Sequence, residues 1–349
     1  MEKQNKKIYP GLDIGKFLCA FLILFYHYFS EHGPLPGILN EVLSLYAVAV
    51  ALFMAISGFL IFDKLSDVKE TKERWKIVKH QVVRIYSIYL IWSIPYLIFT
   101  ISRWDYNSIS WSFIFGNVQK WIFNSTFYTI WFMPMCALGL LLTFFLTEKL
   151  SSKIVNLIAC ICYIIGALLL TYNFIGKDIF GFNEFSEFAN TWLGGSRGWL
   201  FYAFPLMMVG KYAVKVKNKF KFVPMLLLSI VSVGMILCEA LLIRKISGIH
   251  TGIDLTIMMV PTVFCILGFF ISLSFPSGSY SLWMRNMSTL IFMSQRLFLT
   301  VLPALFPIVF AKIFSNIYIG AVVVIGLTFI FSILIIVLPK RSLFLKRLF

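Results

Sequence analysis

Ten apolar runs, each long enough to cross roughly 30 Å of hydrocarbon as a helix, follow one another along this 349-residue chain. They cover residues 12–30, 42–62, 82–101, 130–147, 154–173, 199–214, 222–243, 255–274, 289–310 and 317–338. Lipid offers no partner for a free backbone N–H or C=O, so each run closes its own hydrogen bonds as a helix, and short polar connectors join neighbours into hairpins. Composition agrees: 60% of residues are hydrophobic and 13% charged, where a soluble domain carries about 25% charged residues. The expected fold is all-α, a polytopic integral membrane helix bundle of about ten transmembrane helices. A single membrane domain over residues 1–349, with no soluble domain attached, is expected. Residues 105–128 are too broken for a span and read as an outer loop with an interfacial piece, Trp111 and Trp121 at headgroup depth.

The direction of the bundle follows from its positive charges. With the N-terminus cytoplasmic, 22 Lys and Arg lie on inner segments, among them Lys3, Lys6, Lys7, Lys64–Arg84, Lys149, Lys153, Lys211–Lys221, Arg285, Lys340, Arg341, Lys346 and Arg347. Seven lie outside: Arg103, Lys120, Lys177, Arg197, Arg244, Lys245 and Lys312. This asymmetry places both termini in the cytoplasm. A net charge of +16 would otherwise suggest nucleic acid; here it sets topology and meets anionic lipid, and no nucleic-acid-binding signature accompanies it. The lipid bilayer is the expected partner; the oligomeric state is open. The six cysteines, Cys19, Cys136, Cys160, Cys162, Cys238 and Cys265, all fall in predicted spans without disulfide or zinc spacing, so core packing and no metal are expected. Lys6 and Lys7 before an apolar run look like a secretory signal, but the run is too long and lacks a cleavage site, so it is expected to remain as the first span.

That first span, LDIGKFLCAFLILFYHYF, carries Lys16 and His27 eleven residues apart, about three turns, so both leave the same helix face. Asp13, three residues before Lys16, joins that face as a charge of opposite sign. A charge at the centre of a membrane helix costs roughly 2.5 to 3.5 kcal/mol on insertion scales, so such a stripe marks function. Depth, at about 1.5 Å per residue, sorts the other polar groups into two layers. Asp13, Lys16, Ser57 and Arg84 share an inner layer; His27, Trp131, Arg197, Glu239 and Asp254 share an outer one. Each has a simpler reading too. Lys16 can snorkel inward from an interfacial pair with Asp13, Arg84 can serve as a positive-inside anchor, Trp131 as a belt aromatic, and Glu239 and Asp254 as loop-edge charges. His32, His80 and His250 read as loop residues.

Several segments in order resemble the acyltransferase 3 family of integral membrane acyltransferases. Asp13, Lys16 and His27 form D-x-x-K-x10-H, similar to the family's Arg-x10-His with lysine in the arginine position. FMAISGFLIF (53–62), VVRIYSIYLIW (82–92), YTIWFMPM (128–135) and GGSRGWLFYAFPLMMVGK (194–211) resemble further family segments. The surroundings of Arg197, Glu239 and Asp254 look like the membrane half of the serine racemases of vancomycin resistance. The resemblance implies transfer of an acyl group, usually acetyl, from cytoplasmic acetyl-CoA or another acyl-CoA to a hydroxyl of a sugar, peptidoglycan or polysaccharide acceptor beyond a bacterial plasma membrane. The donor is a substrate, and no tightly bound cofactor is implied. By resemblance, His27 is catalytic with Asp13 and Lys16, while Lys16, Ser57 and Arg84 bind the donor. Trp131, Arg197, Glu239, Asp254 and Gln295 then hold the acceptor. Thr129 and Gln295 stand where many members have histidine, so the chemistry proceeds here only if one histidine suffices. The alternative class is a membrane transporter of a small polar solute such as an amino acid, or a polysaccharide exporter. Such a protein favours inverted repeats and helices broken at the midplane, and no such pair stands out in the sequence.

Overall fold

The helices of the chain follow its apolar runs. The computed structural model describes residues 7–33, 35, 38–106, 109–125, 127, 129–176, 181–248, 254–276, 278–338 and 348. Ten long segments run back and forth: α1 (Pro10–His32), α2 (Tyr46–Ser66), α3 (Thr71–Ile101), α4 (Phe132–Lys149), α5 (Ser152–Leu169), α6 (a π-helical turn Trp199–Ala203 leading into Phe204–Val216), α7 (Phe222–Ser247), α8 (Met259–Ser272), α9 (Ser279–Arg296, a π-helical turn Leu297–Val301, then Leu302–Leu305) and α10 (Ile317–Val337). Among the described residues there is no strand. Eight of these helices are long and apolar enough to cross a membrane; α6 and the 14-residue α8 complete the bundle between them.

Polar contacts tie each end of the bundle together. At the end that holds the start of α1, Lys7 pairs with Asp67 at 3.0 Å, Arg74 with Glu148 at 2.7 Å, and Lys217 with Asp63, which also accepts from Tyr9. At the far end, Tyr28 donates to the Ile317 carbonyl at 2.7 Å, Arg296 pairs with Glu31, and Arg197 with Asp254. The most enclosed helix is α2, which lies against α6 through glycines. A Cβ added at Gly58 would sit 2.5 Å from the Met207 carbonyl oxygen, and one at Gly210 would sit 2.1 Å from that of Ala55. Without a hydrophobic force between helices in lipid, this backbone approach supplies van der Waals contact that larger residues would forbid. The outer wall is apolar instead: Leu227, Ile230, Val231, Leu241 and Leu242 of α7 are each more than half exposed, as side chains facing acyl chains should be.

Three expectations are corrected. The run at 289–310 is not one span: α9 begins ten residues earlier, at Ser279, and Pro307–Phe314 forms a separate short helix. Ser281 and Arg285 lower the hydropathy of its first turns, yet they face α1 and not lipid, so a window average misplaces the start. His80 lies within α3, and His32 ends α1, its ring stacked 4.6 Å from that of Tyr28. Of the six cysteines, all free, Cys160 and Cys238 are exposed on the apolar wall and do not pack the core. The interfacial piece is the helix Trp111–Phe123, which leans on α3 where Tyr89 donates to the Trp121 carbonyl at 2.5 Å. His250, Lys3, Lys6, Lys177, Lys340, Arg341, Lys346 and Arg347 lie outside the described residues.

Candidate functional site

Asp13 anchors the polar layer nearest the start of α1. Its carboxylate is 3% exposed and accepts two bonds from Arg285, Nε at 2.9 Å and Nη2 at 2.8 Å, and a third from the Ser281 hydroxyl. The pairing with Lys16 that their spacing suggests does not form; Asp13 turns instead to α9, where a planar fork satisfies both its oxygens. Lys16 is thereby left without an ion pair to the carboxylate three residues before it. Its electrostatic neighbours are Asp13, Arg285, Cys136 and Arg84, and among the described residues neither Lys16 nor Arg84 has an ion-pair or hydrogen-bond partner. Three cations around one carboxylate leave a net positive pocket, and a cation inside a bundle is costly to hold. Ser57 donates to the Phe53 carbonyl of its own helix at 2.8 Å and borders Cys136.

His27, three turns further along α1, is held from α9. Its Nδ1 lies 3.0 Å from Oε1 of Gln295, and Gln295 Nε2 donates to the Phe292 carbonyl at 2.9 Å. That carbonyl can only accept, which orients the amide; Oε1 therefore faces the imidazole, and Nδ1 carries the proton. Nε2 is left with its lone pair free, the tautomer a general base requires. Gln295 is fully buried and spends both ends of its amide on this arrangement. Its place in the structure is beside the imidazole of His27. Gln295→Leu is expected to lower turnover by about 10- to 100-fold with little change in donor affinity, since either tautomer then becomes accessible; steady-state kinetics on the purified variant measures this.

Tyr46 links His27 to the remaining outer residues. Its ring centroid is 6.4 Å from that of His27, it stacks on Tyr26 at 3.4 Å and 9°, and its hydroxyl donates to Asp254 Oδ2 at 3.3 Å. Arg197 Nη2 donates to the same oxygen at 2.7 Å. The Asp254 carboxylate holds Arg197 above its ordinary value, against the opposing effect of burial, so this residue at the rim is a permanent cation. Trp131, at the start of α4, lies 6.4 Å ring to ring from Tyr202. Glu239 stands apart. It accepts the backbone N–H groups of Ile257 at 2.7 Å and Met258 at 2.8 Å and the hydroxyl of Tyr172, capping α8 and fixing the turn that presents Asp254. In that turn Leu255 is a buried non-glycine residue at φ +54°, a strained conformation of the kind that clusters at functional sites.

Buried polar atoms without partners gather at the same end. Thr129 Oγ1, Arg197 Nε, Thr256 Oγ1, Ser294 Oγ and Arg296 Nε are all unpaired among the described residues. Each such atom carries a desolvation cost of about 1–3 kcal/mol that a polar ligand would recover. Sequence reasoning missed Tyr46, Arg285 and Arg296 as site residues. Arg296 had a signal, a charge inside the apolar run 289–310, identical in kind to the one that singled out Lys16. Arg285 was obscured because it counted as a loop charge, and Tyr46 because tyrosine is common at membrane interfaces. Among the described residues no group of three or more His, Cys, Asp or Glu side chains is placed to hold a metal ion.

The fold and this column of polar groups define a multi-pass membrane protein with a half-buried, oriented histidine at one end of its bundle and a cationic pocket at the other. The chain belongs to the acyltransferase 3 family, whose acyltransferase domain matches residues 9–339. It is also similar to two amino-acid racemases of Enterococcus faecalis, 24% identical over 215 and 218 residues, which cover 60% and 61% of this chain and 30% and 29% of theirs. A serine/alanine racemase of Enterococcus gallinarum is 26% identical over 161 residues, 45% of this chain and 22% of that protein. The chain thus spans less than a third of the length of these curated relatives. No solved structure matches it.

Proposed function

We propose that this protein moves an acyl group, acetyl in the simplest case, from a cytoplasmic acyl-CoA to a hydroxyl of a bacterial cell-envelope glycan on the other side of the plasma membrane. The excess of Lys and Arg at the end of the bundle that holds the start of α1 supports a cytoplasmic position for that end. The observation that carries the reading is on α1: among the described residues Lys16 has no ion-pair partner, and His27 has an imidazole with a free Nε2. Eleven residues separate them, about 16 Å along the helix axis, a distance that an extended phosphopantetheine arm spans.

In this reading the phosphates of the donor lie on Lys16, Arg84 and Arg285, with Asp13 holding Arg285 in place, and the thioester reaches His27. Nε2 takes the proton of the acceptor hydroxyl, the oxygen attacks the carbonyl carbon, and the carbon–sulfur bond breaks. The leaving thiolate takes the proton back from the imidazolium, so acyl-CoA and alcohol become ester and free CoA. Arg197, Asp254, Tyr46 and Trp131 hold the acceptor, and the unpaired hydroxyls of Thr129 and Thr256 suit a ligand with several hydroxyls of its own. The test is purified protein given radiolabelled acetyl-CoA with a panel of envelope sugars, lipid-linked intermediates and amino acids. Label appearing in an acceptor is the expected result. Solute uptake into proteoliposomes without any acyl donor, and no label transferred to any acceptor, would overturn the proposal in favour of a transporter.

A further inference from the structure

Arg296 is the last residue of the regular part of α9, 6% exposed, and its neighbour Gln295 is the residue that orients His27. One terminal nitrogen, Nη1, pairs with Glu31, which lies one turn beyond His27 on α1. Its Nε is buried and has no partner among the described residues. The bond of Gln295 to His27 and the pair of Arg296 with Glu31 set the guanidinium at the same level of the bundle as the imidazole. Pairing with Glu31 needs a single N–H, which a lysine would supply equally well. The guanidinium therefore leaves its Nε–H dry and idle next to the residue that orients the histidine, and buried donors in proteins are seldom left so. The π-helical turn that starts at Leu297 breaks the regular helix immediately after it, a feature common at functional sites.

We propose that Arg296 Nε–H is the oxyanion donor of the acyl-transfer step, a catalytic residue additional to His27; this rests on the acyl-transfer reading above. As the acceptor oxygen bonds to the carbonyl carbon and its proton passes to His27 Nε2, the carbonyl π pair moves onto the carbonyl oxygen. That oxygen takes the hydrogen bond from Arg296 Nε while it is negative. The pair then returns, the carbon–sulfur bond breaks and the thiolate is protonated from His27. Glu31 acts through Arg296, holding the far side of the guanidinium so that Nε does not turn away.

Arg296→Lys separates this role from a structural one, because lysine keeps the charge and the pair with Glu31 but has no Nε–H at that position. With full-length protein in detergent, kcat for transfer is expected to fall about 10²- to 10³-fold, the size of an oxyanion donor's loss. KM for acyl-CoA and the melting temperature stay at the wild-type values. Unchanged kcat in a folded Arg296→Lys overturns the proposal. Should that variant melt early, Arg296→Ala in native membranes decides: restoration of turnover by added ethylguanidinium, and not by ethylammonium, supports the donor role, and no restoration by either refutes it. Wild-type protein measured alongside keeps the two readings apart. If it transfers no acyl group to any acceptor, the acyl-transfer reading fails; if it does and Arg296→Lys matches it, only the role of Arg296 fails.

Discussion

Replacing His27 by glutamine is expected to lower acyl transfer by about 10²- to 10⁴-fold, the usual contribution of a general base. Glutamine has a similar reach and can still bond Gln295, so the packing of α1 against α9 should survive. Donor binding is assigned to the other end of the bundle, so acyl-CoA affinity, measured by calorimetry, should change little. A variant with wild-type turnover would remove His27 from the chemistry. A variant that loses donor binding as well would show that the two ends are not separable as the structure suggests.

Asp13→Ala should have the largest effect on stability. Its carboxylate is nearly fully buried and accepts both arms of Arg285 and the Ser281 hydroxyl. Removing one partner of such a pair leaves the other uncompensated and typically costs about 3–5 kcal/mol. Removing both is far milder, because no charge is left stranded. Thermal unfolding in detergent should therefore show Asp13→Ala melting well below the wild type, and the double change Asp13→Ala with Arg285→Met recovering most of the loss. Equal destabilisation by the single and double changes would mean that Asp13 is held by something other than this pair. Acyl-CoA binding should weaken in both variants, since both disturb the cationic pocket.

Much of the fold and part of the candidate site are legible in the order of residues alone. The crossings follow from apolar length, and Lys16 and His27 share a face because helical periodicity is local. His27 needs no tertiary information to be singled out, since a titratable ring in hydrocarbon is costly wherever its helix lies. Arg296 is equally legible by that rule, although it lies outside the motifs that carry the family resemblance. Gln295 is visible as a departure from histidine, but its role is not: in sequence it is a polar residue late in an apolar run, whereas in the fold it is the group that sets the tautomer of His27. Glu239 looks like an acceptor contact by depth, yet both its oxygens are taken by backbone donors and a tyrosine. Depth along a helix says at which level a side chain lies and not which way it faces.

The amino-acid sequence by itself determined the class of molecule, the approximate spans and the polar stripe of α1, because burial cost and helical period act over a few turns. Only the tertiary structure decided the partners. Asp13 chose Arg285, 272 residues away, over Lys16 three residues away, and His27 met Gln295 across 268 residues. Both choices come from the packing of α1 against α9, where burial makes an unpaired carboxylate or imidazole costly and the nearest group of matching geometry satisfies it.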